Sequence, residues 1–255
     1  MSAVYADLAD CPVLVTGGAT GIGADIVRAF AAQGARVGFL DIQDDAAHAL
    51  CADLAGARHR PVFLHCDIVD VTALEFAVAA LAAAIGPVRV LINNAADDTR
   101  HAFGTVTQDV WDRLSAVNLR AQFFAAQALA PMMQAAGGGA IVNLSSIAWR
   151  AGAGSMPVYG AAKAGVVGMT LALASALGAA NIRVNAIEPG AVMTERQRRL
   201  WYPTQASIDD IVNRQALRAP LLGDHIAAAA VFLASDAAAM ITKQVLVVDA
   251  GISWS

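Results

Sequence analysis

Val13-Leu14-Val15-Thr16-Gly17-Gly18-Ala19-Thr20-Gly21-Ile22-Gly23 decides the fold. Three consecutive apolar residues run into a glycine-spaced turn, and a helical pattern opens directly behind it. The glycines permit a tight turn and a close approach of backbone to a ligand. The unpaired N–H groups of a helix N-terminus then point outward, where a pyrophosphate can sit. The spacing is G-x-x-x-G-x-G rather than the commoner G-x-G-x-x-G. Alone, such a turn serves tight packing as readily as a ligand; the strand before it and the helix after it favour the ligand.

Outward from this stretch, short apolar runs recur at Arg36-Leu40, Val62-Cys66, Val88-Ile92, Ala140-Leu144, Arg183-Ile187 and Val245-Val248. Most are too continuous for half-exposed strands, which is how a parallel sheet covered on both faces reads. Ala-rich helical segments fill the intervals. The pattern predicts repeated βαβ units: an α/β, doubly wound, Rossmann-like fold, a seven-stranded parallel sheet with helices on both faces. No linker, repeat or composition shift divides residues 1–255, which are expected to form one domain. The polar, arginine-rich stretch from Met193 to Pro220, with Trp201-Tyr202-Pro203, reads as an irregular insertion serving as a substrate lid.

Composition narrows the function. The 255 residues are 57% hydrophobic and 15% charged, with a net charge of -4 and no basic block, so neither a nucleic-acid partner nor a membrane surface is expected. Cys11, Cys51 and Cys66 have no metal-ligand spacing and read as reduced thiols of a cytoplasmic protein. His48, His59, His65 and His225 show no paired spacing either, so no metal is expected. The stretch Met1 to Asp10 lacks the basic region of a signal peptide. The apolar run Ala164 to Ala180 is read as a buried helix rather than a membrane span. The surplus of apolar residues suggests helix faces buried between subunits.

Polar residues gather at the carboxyl ends of the expected strands, the side on which open α/β sheets bind ligands. Asp41 ends the second strand, where an acid can accept hydrogen bonds from ribose hydroxyls and repel a 2′-phosphate. With no arginine at Ile42 or in the glycine turn, NAD is favoured over NADP. A helix N-cap is the plainer role for Asp41. Asp67-Ile68 closes the third strand and Asn93-Asn94-Ala95-Ala96 the fourth. Further on, Ser146 precedes Tyr159, and Lys163 follows that tyrosine at the i,i+4 spacing of one helix face. Lys163 and Lys243 are the only lysines. A phenol is a poor base at neutral pH, and a neighbouring ammonium favours its ionised form.

In these residues the chain resembles the short-chain dehydrogenase/reductase family over essentially its whole length. The resemblance implies a dinucleotide held by Gly17, Thr20, Gly21, Ile22, Gly23, Asp41, Asp67, Ile68 and Asn94. Its nicotinamide end is implied to lie against Pro189, Gly190, Val192, Thr194, Tyr159 and Lys163. Asn118, Ser146, Tyr159 and Lys163 match the catalytic set. Tyr159 is then the base, Lys163 lowers its pKa, Ser146 holds the substrate oxygen and Asn118 positions a water. Three departures are Ala96 for a usual glycine, Lys243 where glycine is common, and Val248-Asp249-Ala250-Gly251 for V-D-G-G.

The stretches Asp97-Asp98-Thr99-Arg100-His101, Ile147-Ala148-Trp149, Thr194-Glu195-Arg196-Gln197 and Trp201-Tyr202 are similar to those of bacterial aldose 1-dehydrogenases of the D-xylose dehydrogenase type. That implies oxidation of an anomeric hydroxyl to a lactone, with Asp97, Trp149, Arg196, Gln197 and Trp201 as candidate sugar contacts. Asp98 and Arg100 could join them; His101 reads as structural. The alternatives are a dehydrogenase for a polyol, sugar acid or other secondary alcohol, and a non-catalytic NAD(H)-sensing protein. The apolar helices around Trp111 to Met133 and Pro157 to Ala180 resemble those that pair between subunits in this family, usually as homotetramers.

Overall fold

The structure is a computed structural model and describes residues 3–253. Seven strands form one parallel sheet: β1 (Pro12–Thr16), β2 (Arg36–Asp41), β3 (Val62–His65), β4 (Val90–Asn93), β5 (Gly139–Leu144), β6 (Ile182–Pro189) and β7 (Val245–Val248), in the order β3-β2-β1-β4-β5-β6-β7. Every apolar run read from the sequence is a strand. In β4 each residue is buried, and in β1 all but Pro12 are. Such strands bury both faces and therefore carry no polar alternation. At the sheet edges β3 and β7 keep partial exposure.

Among the described residues nine α-helices accompany the sheet: α1 (Gly21–Ala32), α2 (Asp44–Asp53), α3 (Val71–Ile85), α4 (Gln108–Ser115), α5 (Ala121–Ala135), α6 (Pro157–Leu177), α7 (Glu195–Leu200), α8 (Gln205–Asn213) and α9 (Gly223–Ala234). On one face Val27 and Phe30 of α1, Leu50 of α2 and Ile226 of α9 pack with Val13, Val15 and Phe39. On the other, Leu74 and Leu81 of α3, Leu129 of α5 and Ala174 of α6 pack with Leu14, Leu91 and Ile141. Alternate strand residues thus feed two separate apolar layers, as the two-residue period requires.

Strand order reverses between β1 and β4, leaving a crevice at their carboxyl ends, where this architecture takes its ligands. Register aligns Thr16 with Asn93, and Asn93 with Asn143, so the polar strand tips stand in one row. Among the described residues α6 alone is long and apolar enough to cross a membrane, with a mean hydropathy of 1.4. It instead packs along β6 and buries Tyr159, Ala162, Lys163, Val166 and Thr170 on one face, making it a core helix of the fold.

The stretch from Met193 to Pro220 departs from the irregular segment expected. It folds as α7 and α8, joined through Trp201-Tyr202-Pro203. Thr194 accepts from the N–H of Gln197 at the start of α7, while Thr204 and Ser207 form a reciprocal capping box on α8. These caps satisfy the free N–H groups of short helices whose polar sequence hides them.

Candidate active site

The glycine turn links β1 to α1. Gly17 (φ 66°) and Gly21 (φ 56°) occupy the left-handed region, and a Cβ on Gly23 would stand 1.8 Å from the Gly17 carbonyl oxygen. Glycine takes the left-handed backbone without strain, and at Gly17 and Gly23 a side chain would also collide with neighbouring atoms. The turn is fastened from β4: the Asn94 Nδ2 donates to the carbonyls of Thr16 (3.1 Å) and Gly17 (2.8 Å). In return Thr16 Oγ1 accepts from the N–H groups of Asn94 and Ala95. Asn94 faces the cavity yet spends its amide hydrogens on the turn.

Asp41 is buried at the tip of β2 and does not cap α2. Its Oδ2 accepts from the Ala19 N–H at 2.9 Å, and its Oδ1 from the N–H groups of Ile42 (2.8 Å) and Gln43 (3.0 Å). The carboxylate therefore ties the glycine turn to the second strand while facing the same cavity. Asp67 is exposed there, its Oδ1 accepting from the Val69 N–H in a local turn.

A cavity of about 1380 Å³ runs along these strand tips. Gly17, Thr20, Gly21, Ile22, Gly23, Asp41, Asp67, Ile68 and Asn94 line it, and so do Ser146, Tyr159, Lys163, Pro189, Gly190, Val192 and Thr194. Bare glycine backbone opposite acceptor carboxylates fits an elongated phosphate-bearing ligand such as a dinucleotide. Asp97, Trp149, Arg196 and Gln197 line the same space.

Tyr159 and Lys163 stand one turn apart on the buried face of α6, with the Lys163 Nζ 5.5 Å from the centre of the Tyr159 ring. Burial pushes the Tyr159 phenol up to about 12, and the adjacent Ser146 hydroxyl acts against that rise. Burial alone pushes Lys163 down to about 7. The ammonium expected to lower the tyrosine pKa instead donates to the Leu144 carbonyl at 2.7 Å. Desolvation is thus the leading influence on both groups. Ser145 holds α6 in place by donating to the Lys163 carbonyl at 2.8 Å, and the Ala148 N–H donates to Ser146 Oγ at 3.1 Å.

Two expected residues lie outside the cavity. Asn118 sits in a π-helical turn, Ala116–Arg120, that joins α4 to α5, a geometry that recurs at functional sites. Its side chain is wholly buried and fully used. Oδ1 accepts from the Asp97 N–H, while Nδ2 donates to the Asp97 and Leu114 carbonyls. Its side chain braces the loop after β4. Trp201 likewise does not line the cavity: its ring lies under the Arg100 guanidinium, 3.7 Å from carbon to ring centre.

Comparison with known proteins agrees with this arrangement. The family described as Enoyl-(Acyl carrier protein) reductase matches residues 17–253. A Rhizobium meliloti protein described as a probable galactose dehydrogenase is 48% identical over 252 residues, covering 98% of both chains. A D-xylose 1-dehydrogenase of Caulobacter vibrioides is 44% identical over 250 residues, again covering 98% of both. The crystal structure of a Sinorhizobium meliloti protein described as a short-chain alcohol dehydrogenase superposes with a TM-score of 0.92 at 35% identity, over 97% of this chain and 98% of that one. The chain belongs to the short-chain dehydrogenase/reductase family. A blue fluorescent protein from a metagenomic library, solved in complex with NADPH, shares the fold of this dehydrogenase with a TM-score of 0.88 at 34% identity, over 97% of this chain and 100% of that one. The chain is accordingly a dehydrogenase acting on a CH–OH group, with a nicotinamide dinucleotide as its redox partner.

The substrate end of this short-chain dehydrogenase is cross-linked by its own charges. Asp98 pairs with Arg196 through Oδ1 and accepts from Gln197 Nε2 through Oδ2 at 2.6 Å. The loop after β4 is thereby clasped to α7, and the Arg100–Trp201 stack reinforces the clasp. Of the candidate sugar contacts, Arg196 and Gln197 bind Asp98 through their side chains, and Asp97 Oδ1 accepts from Thr99. His101 has a structural place, its Nε2 accepting from the Val158 N–H at the start of α6 at 3.4 Å. Two residues had no signal of their own in the sequence. Arg150 follows Trp149 into the cavity wall, and Glu188 lies buried behind both.

Proposed function

We propose that this enzyme oxidises the anomeric C1 hydroxyl of an aldose to the lactone, with NAD as acceptor. The observation that carries the reading is that Ser146, Tyr159 and Lys163 share one cavity with the glycine turn. A bound nicotinamide dinucleotide supplies the hydride acceptor. Gly17 to Gly23, Asp41 and Asp67 would hold its adenosine and pyrophosphate end. Pro189, Gly190, Val192, Thr194 and Lys163 would hold the other. Ser146 hydrogen-bonds the substrate oxygen and stabilises the charge that develops on it. Tyr159 takes the hydroxyl proton, and Lys163 stands beside it as the second buried proton-carrying group of the cavity. Asn118 positions the loop that carries Asp97.

NAD is favoured over NADP because Asp41 would face a 2′-phosphate with a buried carboxylate, and Ile42 and Gln43 beside it carry no cation. A neutral sugar suits the part of the cavity wall where charges are matched in pairs, Asp98 with Arg196 and Arg150 with the buried Glu188 behind it. The galactose- and xylose-oxidising relatives support the same choice. Residues 1–255 act as one domain with α7 and α8 as its lid. The partly exposed Trp111, Phe123 and Leu171 on α4, α5 and α6 support a homotetramer. Three free cysteines suit the cytoplasm.

A panel of pentoses and hexoses with NAD or NADP, read by dinucleotide absorbance and lactone formation, tests the proposal; no turnover on any aldose overturns it. One observation favours a second reading, a sugar acid as substrate. Arg199 and Arg214 also line the cavity, and neither has a carboxylate partner among the described residues. Uronates and aldonates in the same panel separate the two.

A further inference from the structure

Glu188 is the penultimate residue of β6 and is completely buried. Its Oε1 accepts from the indole Nε1 of Trp149 at 2.6 Å, and its Oε2 from the Nε of Arg150 at 2.5 Å. The Arg150 guanidinium carbon lies 4.7 Å from the centre of the Trp149 ring, so cation, indole and carboxylate close into one unit. Backbone bonds tie the same loop down on either side: Ser145 N–H to the Ile187 carbonyl at 2.8 Å and Ile147 N–H to the Pro189 carbonyl at 3.2 Å. Trp149 and Arg150 line the cavity, whereas Glu188 does not.

A buried carboxylate persists only where cation and donors satisfy it, and once satisfied it holds those donors in a single arrangement. Here the donors belong to the loop that begins with Ser146. We propose that Glu188 is a positioning residue, fixing Trp149 and Arg150 as the wall against which the substrate ring lies, and so setting the affinity for the sugar but not the rate of its oxidation. The proposal rests on the aldose reading above. It assigns Trp149 an orientation fixed before substrate arrives, which lowers the ordering cost of binding.

Steady-state kinetics with D-galactose, D-xylose and NAD on wild type, Glu188→Gln, Trp149→Phe and the double variant test it. Glu188→Gln keeps an acceptor for the indole but loses the ion pair. The sugar KM should rise about tenfold, the cost of one charge-assisted bond, with kcat and the NAD KM little changed. Adding Glu188→Gln to Trp149→Phe should raise KM by clearly less than it does in wild type, because part of its effect passes through Trp149. A fall in kcat at constant sugar KM, an equal rise in the NAD KM, or full additivity in the double variant overturns the proposal. If Glu188→Gln does not fold, Arg150→Gln breaks the same ion pair from the exposed side and must give the same KM signature. If wild type turns over no aldose, the substrate reading fails by itself. The positioning role is then read from acrylamide quenching of tryptophan fluorescence, with Trp149→Phe subtracted. Glu188→Gln should make Trp149 more quenchable, and an unchanged Trp149 component overturns the role.

Discussion

Lys163 Nζ lies 5.5 Å from the centre of the Tyr159 ring on the same buried face of α6, yet its hydrogen bond goes to the Leu144 carbonyl. Both groups are consequently moved toward their neutral forms, the phenol up to about 12 and the amine down to about 7. An unfolded lysine binds a proton up to its ordinary value of 10.5. Between about 7 and 10.5 the unfolded chain therefore holds a proton that the folded chain lacks, and stability rises with pH across that window. It is lost again as pH falls through the folded value. Tyr159 acts oppositely above its ordinary value of 10, where the folded chain retains the proton and stability declines toward about 12. Lys163→Met should flatten the rise of Tm between pH 7 and 10 in the ligand-free protein; an unaltered slope would exclude Lys163 as its source.

Tyr159→Phe removes only the phenolic oxygen from a packed ring. The expected loss in kcat is about 10²–10⁴-fold, the usual worth of a positioned general base, while the thermal shift on adding NAD should survive. Retention of both turnover and its pH dependence would exclude Tyr159 as the base.

Asp41 accepts from three backbone N–H groups and, in the proposed function, is also the negative charge that meets the adenosine end of the cofactor. Asp41→Asn should shift the kcat/KM ratio from NAD toward NADP by about tenfold or more, since a like-charge clash with a 2′-phosphate is relieved. It should also cost about 1–3 kcal/mol of stability through the weakened acceptor, visible as a lower Tm before any cofactor is added.

Lys243 (φ 64°) and Ala250 (φ 57°) hold left-handed backbone without being glycine. The left-handed region costs an L-residue roughly 1–2 kcal/mol. Ala250→Gly should therefore raise Tm by about 2–4 °C per kcal/mol gained. Lys243→Gly should gain less, because the Lys243 Nζ donates to Ser175 Oγ at 2.9 Å.

Asp98→Ala would release Arg196 and Gln197 and free α7 from the loop after β4. An exposed pair of this kind is worth about 1 kcal/mol or less, so the sugar KM should rise about threefold to fivefold with little change in Tm. Stopped-flow comparison of substrate binding and release would show whether the change lies in release.

The sheet was readable because each strand is a local signal, an apolar run too continuous to alternate and ended by glycine, asparagine or aspartate. The glycine turn was readable for the same reason. What escaped depends on contacts between distant segments. A single acid ahead of Pro189 has no meaning until β5 and β6 pair and set Glu188 beneath the loop that carries Trp149. Asp98, Arg196 and Gln197 looked like separate hydrogen-bonding side chains; 98 residues of separation between Asp98 and Arg196 concealed that they bind each other. The capped helices α7 and α8 were missed because a polar stretch gives little periodicity, although Thr204 and Ser207 stood at capping distance.

The bonds from Asn94 to Thr16 and Gly17 have a consequence for the order of events in a catalytic cycle. Fixing backbone torsions in a loop costs conformational entropy, about 1–2 kcal/mol per residue. Here that cost falls within the folding of the chain, because one amide group locks the phosphate turn before anything occupies it. A dinucleotide arriving at the turn gives up its own freedom and demands little from the protein. Elsewhere along the cavity the loop after β4 is held to α7 by side chains alone, through Asp98, Arg196 and Gln197. On the proposed function, a turn fixed in advance predicts that the cofactor enters first and leaves last, an order that product-inhibition kinetics would check.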